Sequence, residues 1–545
     1  MVDGKVIVDQ FAKLVSHRQP LEKQWKDAFK LTYPHRGVGF TTDDSMTGAS
    51  TAAGDQAAIY DSTAANACRT LASSMISGLT PANSQWFTLQ MESIADDFIP
   101  HADKTWLEKS SKILFNLIHS SNYNAEAFEF FQDITVGGMD GLYIEKAPEG
   151  PFVFELWSLS TLYVAETLGT GRIDTVYREL QKTASELITK FGEAAVSTEI
   201  KDTFVANPLD PKKFTVIHGI FPRVIGNKQS KGKTKQAMPF VSVYVDKKSS
   251  EVIFEGGFEE FPVIIPRWSR IPGTPYAYGP VNDCLPDVKM LNELRKIILT
   301  HSDLAIKGSY LAPHDGLVNP KTFRIKAGVL NFVRDPDKIK PFMLSGNLAI
   351  GQSEVVNLQK GIRATLMADE LEPFEQKYAS ATQVQDRAQT IRQILGPVYS
   401  RLQSEFLEPL IRRCFNLAYR DGVFGQAPSS IQSNPTIQYQ SPLARAQKME
   451  QVIAMQRFED RLAMLSERFP QVLDVYDIDK ALRLEAELSG VPLEVVNSKE
   501  QVAFKQNQQA QLQTSMQSSQ DQQTIDAMGG QGGAPQGGLP PQNQP

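Results

Sequence analysis

Apolar residues recur three to four apart along residues 11–33, 59–79 and 104–118, so the first 140 residues read as mostly helical. Pro20 is expected to break the first helix, and Asp61-Ser62-Thr63 reads as the start signal of the second. Near Leu142 the period changes. Short β-rich runs at 152–156, 173–180, 214–221, 240–245 and 263–268 sit between Gly, Pro and Lys-rich turns, interrupted by one helical stretch at 184–191. The pattern is α+β, mainly helical.

Helical spacing then returns over 281–307, with Leu285, Val288, Leu291, Leu294, Ile298 and Ala305 on one face. At the α-helical rise this helix would be roughly 40 Å long. Residues 308–346 lose the period and read as short strands at 310–312, 322–325 and 329–333, punctuated by glycine and proline. Val355, Leu358, Ile362 and Leu366 restore it. A very long helical pattern covers 382–419, where Gly396-Pro397 and Pro409 are expected to kink the chain because each proline removes a backbone donor. Further helices are expected from Ser441-Pro442 to residue 469 and at 478–488. Beyond residue 500 the chain turns Gln-rich and then Gly/Pro/Gln-rich, and such a composition buries too little apolar surface to order itself.

Composition changes this picture little but narrows the function. With 545 residues, 41% of them hydrophobic, the chain can fill a large core in two or three regions. The net charge of −6 argues against an avid nucleic-acid coat, because sequence-independent affinity comes from cations neutralising phosphates. Cys68, Cys284 and Cys414 lie far apart, which suits synthesis in a reducing cytosol. No segment is apolar enough to suggest membrane insertion or a secretory leader.

Candidate chemistry is thin. Residues 226–234, GNKQSKGKT, resemble a phosphate loop but place five residues between the glycines instead of four, and Met238-Pro239 follows where a helix should run. The seven histidines are scattered, and the acidic pairs Asp43-Asp44, Asp96-Asp97 and Glu259-Glu260 form no acid/base or metal constellation. No catalytic residue, metal or cofactor is expected, and Trp86, Phe87, Trp157 and Trp268 read as core residues.

Five words, in order, resemble one family. They are RQPLEKQW at 18–25 followed by Tyr33-Pro34; IYDSTAANACRTLASSMISGLTPANSQWFTL at 59–89; Tyr278-Gly279-Pro280 through Leu285-Pro286-Asp287 and Leu291-Asn292; SATQVQDR at 380–387 with Leu395-Gly396-Pro397 and EFLEPLIRR at 405–413; and SPLARA at 441–446. Together these resemble the portal, or head-to-tail connector, proteins of short-tailed double-stranded DNA phages, with Gln383 where the family pattern has a glutamate.

The resemblance implies a non-enzymatic ring with a central channel, usually of about twelve subunits. It maps 1–280 to a wing, 281–307 and 350–369 to two stem helices, 308–346 to a clip, 370–380 to a tunnel loop, 381–429 to a long kinked wing helix, 430–500 to a crown and 501–545 to a disordered tail. Helices roughly 10 Å wide, about twelve in a ring, would leave a bore of about 28 Å, wide enough for a DNA duplex. The tunnel loop carries Glu370, Glu372, Glu375 and Lys377, whose net negative charge would keep phosphate sliding. The clip carries Lys321, Arg324, Lys326, Arg334, Lys338 and Lys340 as a basic face for docking or DNA, and Gly396-Pro397 is the expected helix kink. Implied partners are double-stranded DNA, the terminase large subunit, tail adaptor proteins, and the scaffolding and major capsid proteins, at the single vertex of a virion. The rival classes are a packaging ATPase or nuclease, which needs a true phosphate loop or carboxylate cluster, and a scaffold or internal virion protein, for which the β-rich middle is unsuited.

Overall fold

In the computed structural model the N-terminal helix α1 (Gly4–Thr32) runs unbroken through Pro20. The sequence pattern anticipated a break there, but each half is tied into a different part of the core. Ile7 and Phe11 pack on a β-sheet, Trp25 packs in a second cluster, and Ala28 and Phe29 pack among helices. Burial of these side chains offsets the one backbone hydrogen bond that proline forfeits.

The structure describes residues 3–40, 52–83, 85–90, 101–148, 150–225, 228–229, 234, 237–307, 310–311, 340–341, 348–371, 396, 398–428, 436–439, 442–466, 469, 476–489, 491, 495–497, 501–502, 504–509 and 511. They fall into two compact units, one of residues 1–90, 110–427 and 435–443 and one of 91–109, 428–434 and 444–545.

After α1 the first unit continues through a 3-10 turn (Pro34–Phe40), α2 (Thr63–Leu79) and β1 (Phe87–Gln90). Helix α3 (His101–Ser120) and α4 (Tyr123–Gly137) lead into β2 (Gly141–Glu145), β3 (Val153–Trp157), β4 (Leu162–Ala165) and β5 (Thr175–Thr183). Two short helices follow, α5 (Ala184–Phe191) and α6 (Thr198–Ala206). Strands β6 (Lys213–Pro222), β7 (Val224–Ile225), β8 (Lys228–Gln229), β9 (Phe240–Asp246), β10 (Val252–Phe258), β11 (Val263–Ile264), β12 (Ser269–Arg270) and β13 (Ala277–Tyr278) complete the β-rich part.

Strand order in the main sheet is β10-β9-β6-β5-β4, every pair antiparallel. The β4 edge is covered by α1: buried Arg18 donates to the carbonyls of Leu162 (2.5 Å) and Ser160 (2.7 Å), and its guanidinium lies 4.3 Å from the Tyr163 ring centroid. One cation thus satisfies acceptors that an open edge would leave to solvent. Beside it, β11-β2-β3 forms a second sheet, where Tyr143 stacks on Trp157.

Helix α7 (Pro280–Lys307) follows a close backbone crossing. Gly138 ends α4 at φ +84°, and a Cβ on Gly279 would lie 2.8 Å from the Gly138 nitrogen. Only glycines permit this approach. Strands β14 (Tyr310–Leu311) and β15 (Lys340–Pro341) pair antiparallel, and α8 (Leu348–Thr365) returns along α7, with Gly351 against Leu294 and Ile298. A short α9 (Ala368–Leu371) ends that run, and α10 (Glu408–Arg420) packs beyond a π-helical turn at Gln403–Leu407. Strand β16 (Thr436–Tyr439) pairs with β1.

Helices α11 (Pro442–Ser466) and α12 (Ile478–Ser489) carry the second unit, where Tyr476 donates to Glu459 (2.5 Å) and Gln456 to Glu485 (2.8 Å). The tail departs from expectation at its start: residues 501–502 and 504–509 are helical, since Gln, Ala and Lys sustain a helix without a packed face.

Other expectations shift locally. Of 263–268 only Val263–Ile264 form a strand, because Arg267 and Trp268 turn towards other partners. Helix α2 begins at Thr63, where the Asp61 carboxylate takes the Thr63 N–H. Helix α6 and strands β4 and β10 have no counterpart in the sequence reading.

Candidate functional site

The second and third sequence words meet in space. Asp61, its side chain only 6% exposed, accepts from Thr63 N–H (2.9 Å), from Arg295 Nε on α7 (3.1 Å) and from Gln359 Nε2 on α8 (2.8 Å). Burial pushes the Asp61 carboxyl up, but the hydrogen bonds from Thr63, Gln359 and Arg295 outweigh it and hold the pKa below the usual carboxylate range. One turn earlier on α7, Asn292 accepts from Tyr60 N–H (2.7 Å) and donates to the Ala58 carbonyl (3.1 Å). The stretch before α2 is thereby pinned to the α7–α8 pair, whose inner face buries Val281, Leu285, Val288, Leu291, Val355 and Ile362.

The outward side of α7 carries a line of apolar residues among exposed Lys289, Glu293 and Lys296. Met290 and Ile297 are each 56% exposed and Leu304 42%, at seven-residue intervals along α7. Helix seams use apolar residues at alternating three- and four-residue steps; here exposed Glu293 and Thr300 take the three-residue steps, which leaves a single exposed apolar ridge.

The residues expected to act on DNA or partners are met only in part. Glu370 belongs to α9, while Glu372, Glu375 and Lys377 lie outside the described residues. So do Lys321, Arg324, Lys326, Arg334 and Lys338; Lys340 lies in β15 opposite Leu311. Gly396 is helical and its carbonyl accepts the Ser400 hydroxyl (3.1 Å); Pro397 is outside the described residues. The irregularity in the described part of this helix is the π turn before Pro409.

Sequence reasoning missed two buried charged groups. Arg267, 1% exposed, donates to Glu405 Oε2 from its N–H (3.1 Å) and Nε (3.0 Å), to Glu405 Oε1 from Nη2 (2.7 Å), and to the Gly171 carbonyl (2.6 Å). Arg36 grips both oxygens of buried Asp133, with Nη2–Oδ2 at 2.8 Å, and Nη1 meets Glu129 at 3.0 Å. Nearby Asp140 is fully buried; burial, then the Asp133 charge, raises its pKa well above the ordinary value. Nothing local in the sequence distinguished either group from surface charges.

The phosphate-loop lookalike begins in a hairpin, with Ile225 opposite Lys228, where nucleotide binding would need a strand running into a helix. Among the described residues no group of three His, Cys, Asp or Glu is placed to hold a metal ion, and no helix is long and apolar enough to cross a membrane. Trp86, Phe87, Trp157 and Trp268 are buried.

Helices pinned by buried polar contacts, with one exposed apolar ridge on α7, are what the described residues present. The chain belongs to the bacteriophage head to tail connecting protein family, whose model matches residues 5–496. It is 26% identical over 535 residues to the probable portal protein of Bordetella phage BPP-1, covering 94% of this chain and 92% of that protein. It is likewise 26% identical over 507 residues to the portal protein of Salmonella phage epsilon15, covering 91% and 89%.

Proposed function

We propose that the chain is the portal-vertex subunit of a phage head, a non-enzymatic conduit for DNA packaging and ejection. Family membership over residues 5–496 supports this reading. In it, residues 1–280 act as the wing, α7 and α8 as the stem, 308–346 as the clip, 370–380 as the tunnel loop, 381–429 as the long wing helix, and 430–500 as the crown. The clip cations Lys321, Arg324, Lys326, Arg334, Lys338 and Lys340 dock the terminase large subunit and later the tail adaptors. Glu370, Glu372 and Glu375, with Lys377, face passing DNA, and Gly396-Pro397 lets the wing helix respond to it. Scaffolding and major capsid proteins surround the wing.

The observation that carries the assembly is the exposed apolar ridge Met290–Ile297–Leu304 on α7. A second copy covers it, and repetition of one head-to-tail contact closes a ring of about twelve. Electron microscopy with native mass measurement of wild type and Ile297→Asp tests this. Wild-type rings with a central channel and dissociated, folded Ile297→Asp subunits are expected; a wild-type monomer would overturn the reading.

A further inference from the structure

Residues 398–420 form one helical run whose hydrogen-bond register changes once, at the π turn Gln403–Leu407. There the Glu408 N–H donates to the Gln403 carbonyl, five residues back, instead of to Ser404, four back. A π turn stores one residue more than α pitch would hold. Pro409 has no N–H to give in either register, and its ring crowds the Glu405 carbonyl at α pitch.

The two sides of the turn are held unequally. On the C-terminal side Leu410, Ile411 and Cys414 are fully buried, Arg413 reaches the Ile144 carbonyl and Arg420 pairs with Glu259. On the N-terminal side residues 398–401 are half-buried or exposed, tied by Arg401 to the Trp268 carbonyl (2.6 Å) and by Tyr399 over Gly78, with Leu402 as the buried contact. At the turn itself Glu405 takes three hydrogen bonds from Arg267, while Arg267 Nη1 is buried without a partner.

We propose that this turn is a one-residue register reserve, clamped open by the Arg267–Glu405 pair. When the clamp is released, the Glu408 N–H passes to the Ser404 carbonyl, and residues 398–402 advance by about 1.5 Å and rotate by about 100° against the anchored 408–420 segment. The device couples the loops holding Gly171 and Arg267 to the register of the long helix, whatever the chain's wider role.

High-resolution electron microscopy of the full-length protein as wild type, Glu405→Gln and a deletion of Gln403 tests it, reading helix register and not DNA handling. Glu405→Gln is expected to move residues 398–402 by one α step, and the deletion of the stored residue to give uninterrupted α pitch with residues 398–402 left where they stand in the wild type. Should Glu405→Gln fail to fold, the deletion decides alone: a folded α-helical variant supports the reserve and an unfolded one overturns it. An unchanged Gln403–Glu408 hydrogen bond in folded Glu405→Gln overturns it as well.

Discussion

Asp61 and Arg295 stand 234 residues apart in the chain and 3.1 Å apart in space. That contact, with Gln359 on the same carboxylate, ties the start of α2 to both long helices. Asp61→Ala removes the acceptor from three donors at once. It should cost about 2 kcal/mol, read as a lower urea midpoint, whereas exposed Lys289→Ala, which loses a surface pair with Asp27, should cost under about 1 kcal/mol.

Asp140 gives a pH-dependent case. Its folded pKa lies above its unfolded value of about 3.9, so the wild type loses stability as pH rises from there towards the folded value. Asp140→Asn removes that loss. Calorimetry should find the variant melting higher than wild type at pH 7.5, with the gap closing near pH 4; a variant that melts lower at pH 7.5 would refute this.

His218 has the opposite sign. Burial and then the Arg178 and Lys190 charges hold its pKa well below the ordinary imidazole value, and it stacks on Tyr244 with centroids 3.9 Å apart while pairing with Ser242 (3.1 Å). The folded state resists its protonation, so stability is complete above about pH 6.5 and falls as pH drops below it. In His218→Gln the slope of stability against pH between about 5 and 6.5 should shrink by close to one proton, measured by urea unfolding at each pH.

Gly138 is the most sequence-intolerant position described. Its φ of +84° is unfavourable for any side chain, and a Cβ would collide with the Tyr278 backbone. Gly138→Ala should abolish soluble folded protein on expression, while Gly361→Ala, on open surface in α8, should leave the melting temperature unchanged or raised.

The sequence was most readable where one element answers to one periodicity. Val281 through Ile298 announce α7 because its inner face packs on α8 and α2, and the structure ends that helix at Lys307. It was least readable where tertiary contacts override local preference. Pro20 sits inside α1 because both flanks are buried, and the helix irregularity near Pro409 is a π turn whose Glu405 meets Arg267 from 138 residues away.

The sequence by itself determined the alternation of helix and strand, the absence of a recognisable catalytic or metal motif, and the ordered words that mark a phage connector. Those are properties of neighbours along the chain, where spacing and propensity act directly. Which charges are buried, and with whom, follows from the packing of segments distant in the chain. Asp61, Asp140, Arg267 and Glu405 look like other charged residues in the chain, and their altered energetics arise from partners brought together over more than a hundred residues or from a core that excludes water.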